Sequence, residues 1–343
     1  MGLEATSVGS YVGGYKLLRF LGEGRLGPVF RALHQDSETA HEQGGDVALR
    51  ALRPELCARD EFQERFTANL AGVVRLDHPS VVRHIDALVL PDGQLCLVEE
   101  LVEAGTMLDL VGRGAPMPWS RALTLVHPVL AALAHAQARG VVHGAVCAKN
   151  ILIRQRDDQV MLADFGIAAA ELGPGLEAMA PELMRVGAAA LLVAARPAAP
   201  STERSDVYSV GMTLFLALTG SYPWGSSKEP RAIIDAKLHG RFPRADALNP
   251  ALPPALGAVV AGALETDPVD RIGSLTELAR ALTQATEPAL GTWVKPGRTI
   301  TREKQFVAQR LEEALARREA AAEQGSLPKL KAVDFRAPSS HTL

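Results

Sequence analysis

Near residue 101 the hydrophobic pattern of this chain changes period, and that change limits the folds open to it. Before it, short apolar runs such as Val47-Ala48-Leu49 and Leu95-Cys96-Leu97-Val98 are broken by Gly, Asp and Pro, as strands and turns are. One helical stretch, 60–76, interrupts them, with Phe62, Phe66, Leu70, Val73 and Val74 at roughly helical spacing. After residue 101 the spacing is helical. Residues 119–139 put Leu123, Val126, Leu130, Leu133 and Ala134 on one face and stop at Gly140, and an apolar run at 207–219 is closed by Gly220. A strand-rich 15–101 followed by a helix-rich 102–287 predicts an α+β chain of two lobes with a cleft between them. Around that core the sequence predicts a loose arm at 1–14 and a Pro/Gly-rich linker at 288–300. It also predicts a charged helix at 301–324, capped by Thr301 and carrying only a narrow apolar stripe, and a disordered tail at 325–343.

Composition excludes several classes. A formal charge of −3 argues against a broad basic face, so nucleic acid is not an expected partner. The most apolar window, 187–195, is far short of the ~20 residues that a membrane helix needs. The N-terminus lacks a basic stretch followed by an apolar run and does not read as a signal peptide. Cys57, Cys96 and Cys147 are far apart with no CxxC pair, which suits reduced thiols in a cytoplasmic protein.

The first chemistry-bearing segment is Leu21-Gly22-Glu23-Gly24-Arg25-Leu26-Gly27-Pro28-Val29. Glycines there let backbone N–H groups approach phosphates without a side chain in the way. Alone the run is weak, and a plain hairpin reads the same. A dinucleotide fold would follow it with a helix, whereas here a strand-like Val29-Phe30-Arg31-Ala32 follows. Then come Val47-Ala48-Leu49-Arg50, His78-Pro79-Ser80-Val81-Val82, a loop from Val142 through His143-Gly144-Ala145 to Asn150, and Ala163-Asp164-Phe165-Gly166. Ala180-Pro181-Glu182, Ser205-Asp206-Val207-Tyr208 and Asp267-Pro268-Val269-Asp270-Arg271 complete the series.

In this order and spacing, 15–283 resembles the eukaryotic-like Ser/Thr protein kinases of bacteria. The resemblance implies a two-lobed fold, with a β-rich first lobe containing one helix and a helical second lobe. It also implies ATP with Mg²⁺ as ligands. Gly22, Gly24 and Gly27 would cover the phosphates, Val29, Ala48 and Leu152 would sandwich adenine, and Leu101 would lie at the hinge. Asn150 and Asp164 would ligate the metal. The plain alternative is that these are ordinary core residues. His143, Phe165 and Asp206 read as scaffold, and Glu182 with Arg271 as the buried ion pair that braces the second lobe in this fold.

The departures bear on activity, because phosphoryl transfer depends on positioning and charge neutralisation. Arg50 stands at the strand lysine that would hold the phosphates, and its planar fork does not replace a compact ammonium. The glutamate that would pair with that lysine falls on Asn69, with Glu64 too distant to substitute. Ala145 stands at the proton-accepting aspartate and Cys147 at the lysine that would steady the transferring phosphate. Loss of a general base typically costs ~10²–10⁴ in rate. Between Gly166 and Ala180 there is no Ser, Thr or Tyr to receive a phosphate. The degenerate positions are therefore Arg50, Asn69, Ala145 and Cys147.

Aligning Val98-Glu99-Glu100-Leu101 with the hinge puts Glu99 at a position that is normally apolar. A buried carboxylate is costly unless paired, and Arg50 is the natural partner. A one-residue slip would instead make Glu99 an exposed strand residue. The stretch 183–204 is longer than this connection usually is, so it is either a partner surface or a helix packed on the second lobe. Three functions stay open. The first is a non-catalytic scaffold or allosteric regulator that binds another protein, with or without a nucleotide. The second is a low-activity kinase or other nucleotide-transferring enzyme, and the third an assembly subunit held by the 301–324 helix.

Overall fold

The computed structural model describes residues 3, 7–24, 26–58, 62, 66, 70, 72–111, 114–144, 146–165, 175–184, 201–240 and 242–286. Asn69, Glu64, Ala145, Gly166, 167–174, most of the 183–204 stretch, the linker, the 301–324 helix and the tail lie outside them. The described residues fall into two compact units, one drawn from Met1–Arg75 and Arg83–Leu101, the other from Leu76–Val82 and Val102–Thr299.

The first unit is built on a six-stranded antiparallel sheet. Its strands are β1 (Tyr11–Val12), β2 (Tyr15–Gly24), β3 (Gly27–His34), β4 (Val47–Ala51), β5 (His84–Val89) and β6 (Leu95–Glu100), in the order β1-β2-β3-β4-β6-β5. Period-2 alternation sets the faces. Val47, Leu49 and Ala51 of β4 join Tyr15, Leu17, Phe30, Ala32, Ile85, Cys96 and Val98 in one core, which leaves Ala48 and Arg50 on the opposite face. The helical stretch expected at 60–76 is present at its described positions, where Phe62, Phe66, Leu70 and Val73 are helical and buried.

Two features depart from the sequence reading. Tyr11 and Val12 are not loose, because they pair with Lys16 and Tyr15 at the sheet edge. A helix, α1 (Ser37–Gln43), also lies between β3 and β4. Asp36 caps it by accepting from the Thr39 N–H at 2.8 Å, and Gly44 ends it at φ 88°. The short α2 (Pro54–Cys57) follows β4.

The second unit is mainly helical. After β7 (Ala104–Thr106) come α3 (Met107–Val111) and α4 (Trp119–Gln137), then β8 (Ile151–Arg154) and β9 (Val160–Leu162), which with β7 form a three-stranded sheet. Beyond a 3₁₀ turn at Pro181–Leu183 lie α5 (Glu203–Thr219), α6 (Pro230–His239), α7 (Ala245–Leu248), α8 (Pro254–Ala263) and α9 (Leu275–Thr286). In α4, Leu123, Val126, Leu130 and Leu133 are all buried, as their spacing predicts. Helix α5 is the centre of this unit. A capping box between Thr202 and Ser205 starts it, Gly220 at φ 76° ends it, and 205–218 are buried throughout. At Gly211 an added Cβ would lie 2.8 Å from the Ala263 Cβ, so only glycine lets α5 and α8 approach this closely. Among the described residues no helix is long and apolar enough to cross a membrane.

Candidate functional site

In the first unit, the face opposite the core carries Val29, Ala48, Arg50, Leu97, Glu99 and His84 together. The register dictates this, with Val29 opposite Arg50, Arg50 opposite Leu97, Ala48 opposite Glu99, and His84 opposite Glu99. Arg50 and Glu99 are thus diagonal neighbours on adjacent strands. Their Nε and Oε2 atoms are 3.7 Å apart, and both side chains are largely buried. Glu99 is 5% exposed, which excludes the one-residue slip. Its other oxygen, Oε1, faces His84 Nδ1 at 3.5 Å. The carboxylate therefore sits between two basic side chains. Sequence reasoning missed His84, since a lone histidine in a strand does not reveal what lies across the ladder.

The glycine segment is the β2–β3 hairpin, with Gly22 opposite Val29 and Gly24 opposite Gly27. Arg50 reaches beneath it, so that a Cβ at Gly24 would come within 3.2 Å of Arg50 Nη1. The guanidinium thus lies between Glu99 and the glycine hairpin. Gly27 has a separate reason to be glycine. Its φ is +139°, and a Cβ there would stand 2.0 Å from the Ala51 carbonyl oxygen. The neighbouring Leu26 carbonyl accepts from the Arg53 N–H at 2.9 Å, and Arg53 Nη2 donates to Glu23 Oε1 at 2.8 Å. Leu101 follows β6 and is partly buried.

In the second unit, Asn150 directly precedes β8 and Asp164 lies two residues past β9. Because Ile151 pairs with Leu162, both metal candidates stand at the same end of the β8–β9 hairpin. The Asn150 carbonyl accepts from the Ala163 N–H at 2.9 Å. Asp164 holds φ 60°, a conformation unusual outside glycine that marks an over-determined position. Amide and carboxylate oxygens are suitable ligands for a hard divalent cation. Among the described residues no three His, Cys, Asp or Glu side chains cluster as a metal site. Leu152 lies on β8 between Thr106 and Met161.

The loop leading to Asn150 is braced from below. Asp206, in the first turn of α5, accepts from the His143 N–H at 3.0 Å and the Gly144 N–H at 2.8 Å. Burial raises its pKa to about 7, against the lowering effect of these two donors. The His143 ring is fully buried against Phe165, with centroids 4.6 Å apart, and its Nε2 lies 3.0 Å from the Ala163 carbonyl. A carbonyl only accepts, so Nε2 carries the proton. Burial lowers this imidazole to about 4, so the ring is neutral at ordinary pH. Cys147 is held as a thiol, because burial raises its pKa. Arg271 grips Glu182 with two bonds of 2.8 Å, as the resemblance implied.

Comparison with known proteins agrees with this architecture. Serine/threonine-protein kinase PknJ of Mycobacterium tuberculosis is 32% identical over 295 residues, 84% of this chain and 48% of PknJ. Serine/threonine-protein kinase PknH of the same organism is 34% identical over 285 residues, 82% of this chain and 43% of PknH. The chain thus spans less than half the length of these curated relatives. The crystal structure of the M. tuberculosis PknI kinase domain superposes with a TM-score of 0.65 at 28% identity, covering 81% of this chain and 98% of that one. Residues 15–284 match the protein kinase domain, and the chain belongs to that family.

Proposed function

We propose that this chain is a pseudokinase, a kinase-fold module that binds another protein as scaffold or allosteric regulator and does not transfer phosphate. The observation that carries the reading is the loop His143-Gly144-Ala145-Val146-Cys147, which has no carboxylate to accept a proton and no cation to steady the transferring group. The strand pair supports it. Arg50 replaces the phosphate-holding lysine, and its carboxylate partner is Glu99 on the adjoining strand. The segment 167–179 has no hydroxyl to phosphorylate. A soluble cytoplasmic setting suits this role.

A nucleotide is part of the proposal. Asn150 and Asp164 would hold Mg²⁺ through oxygen atoms, and the glycine hairpin with Arg50 would supply N–H groups and positive charge to phosphates. The bound ion would neutralise phosphate charge. This chain's own residues would only grip and orient. The same two oxygen ligands favour the second reading, a low-activity Ser/Thr kinase or other nucleotide-transferring enzyme.

One experiment separates the readings. Purified protein is incubated with labelled ATP and Mg²⁺, with and without a basic acceptor protein, alongside Asp164→Ala. Its melting temperature is recorded with each ligand. The pseudokinase reading expects no transfer above the Asp164→Ala background. A ligand at ~100 times its dissociation constant would raise the melting temperature by roughly 5–10 °C. Transfer abolished by Asp164→Ala overturns it in favour of the enzyme.

A further inference from the structure

Helix α6 has the look of a surface helix, Pro-Arg-Ala-Ile-Ile-Asp-Ala-Lys-Leu-His, yet its Lys237 is 0% exposed. A lysine is almost never fully buried unless something holds its amine. Here Nζ donates to the Glu177 carbonyl at 2.7 Å and the Met179 carbonyl at 2.8 Å. It also lies 5.1 Å from the ring centroids of both Tyr208 and Trp224. Between those carbonyls, Ser209 Oγ of α5 donates to the Ala178 carbonyl at 2.8 Å. Three successive carbonyls, 177 to 179, are thus captured by side chains of α5 and α6.

The contacts continue on both sides. Trp224 stacks on Tyr222 with centroids 4.9 Å apart and planes 6° from parallel. Tyr208 is faced by the Arg271 guanidinium at 5.0 Å, and Arg271 holds Glu182. The turn itself is closed by Ala178 and Met179 N–H groups donating to the Gly175 carbonyl. Burial pushes the Lys237 pKa well below the ordinary lysine value, but an amine in either protonation state has enough N–H groups for both carbonyls.

We propose that Lys237 is a built-in latch that holds 175–184 in one conformation without any modification of the segment before it. The sequence is consistent with a latch that is never released by phosphate, since 167–179 carries no Ser, Thr or Tyr. The segment is then held permanently in that conformation, with Gly175 and Glu177 exposed on it. The latch does not depend on whether the chain transfers phosphate, so finding activity would leave it standing.

The test is amide hydrogen exchange on the full chain, comparing wild type with Lys237→Met and Lys237→Arg. Losing the donor to two carbonyls should speed exchange in peptides spanning 175–184 by about 30-fold in Lys237→Met. Peptides from β4 and β6 should change by less than about 2-fold, and Lys237→Arg should recover part of the protection. Unchanged exchange at 175–184, or an equal rise throughout the chain, overturns the proposal. If Lys237→Met does not fold, Lys237→Gln, whose shorter side chain cannot reach both carbonyls, is read the same way. A rise confined to 175–184 supports the latch, and no rise or a uniform one overturns it.

Discussion

Arg50 on β4 and Glu99 on β6 are diagonal neighbours, 3.7 Å apart from Nε to Oε2, on the sheet face that also carries Val29 and Ala48. Both partners come from one sheet, so their pairing needs no particular placement of the helical residues Phe62, Phe66, Leu70 and Val73. Where a lysine–glutamate pair would report on that helix, an arginine–glutamate pair within the sheet is fixed by strand register alone.

Removing Arg50 leaves the buried Glu99 carboxylate with His84 beside it and without its guanidinium. Removing Glu99 takes the carboxylate from a buried arginine, whereas removing both leaves neither charge uncompensated. Glu99→Leu and Arg50→Met singly should each cost about 3–5 kcal/mol. The double variant should recover most of that, giving a strong positive coupling in a double-mutant cycle of urea unfolding. Additive single costs would mean that the two side chains do not interact energetically.

Glycines in the hairpin have different reasons to be there. Gly27→Ala would drive a methyl group into the Ala51 carbonyl from a positive φ, and should cost more than about 2 kcal/mol in apo protein. Gly24→Ala meets only the far end of Arg50, which can move aside, and should cost less than about 1 kcal/mol. Chemical denaturation without nucleotide reads both. Equal costs would show that the glycine pattern is not divided between packing and phosphate access.

Much of this was legible in the sequence because the signals are local. Alternation groups Arg50 with Ala48 and Glu99 with Leu97, and the pairing of β4 with β6 then brings the two sets onto one face. Helix α1 was equally legible in principle, with Asp36 as its cap and Gly44 past its end, but its interior has no apolar stripe to draw attention. His84 and Lys237 were not legible. Each owes its role to residues 15 to 60 positions away in sequence (Glu99 for one, Glu177 and Met179 for the other), and nothing around Lys237 distinguishes it from an exposed helical lysine.

The two titratable groups at the loop before Asn150, His143 and Asp206, should respond to pH in opposite senses. His143 has its folded pKa lowered to about 4 from 6.5, so its contribution to stability is complete above pH 6.5 and lost as pH falls through about 4. For a fully buried ring this is on the order of 3 kcal/mol. Asp206 runs the other way, with a pKa raised from 3.8 to about 7. Its contribution is complete below 3.8 and lost as pH rises through about 7. NMR titration should therefore find the His143 ring changing near pH 4 and the Asp206 carboxyl near pH 7. An imidazole midpoint at 6.5 would mean that water reaches the ring.

Arg271 is a heavily bonded cation of the second unit. Besides two bonds to Glu182, it donates to the Arg204 carbonyl at 2.6 Å and the Glu265 carbonyl at 3.0 Å, and its side chain is wholly buried. Lysine would keep the charge, but its single ammonium cannot span a carboxylate and two backbone oxygens that lie in different directions. Arg271→Lys should cost about 2–4 kcal/mol. Arg121→Lys, at an exposed pair 3.8 Å from Asp158, should cost less than about 0.5 kcal/mol. Urea unfolding of the two variants side by side makes the comparison. A small loss at Arg271 would show that the fork is dispensable and that the surrounding helices, with Lys237 and Ser209, hold the segment at Glu182 by themselves.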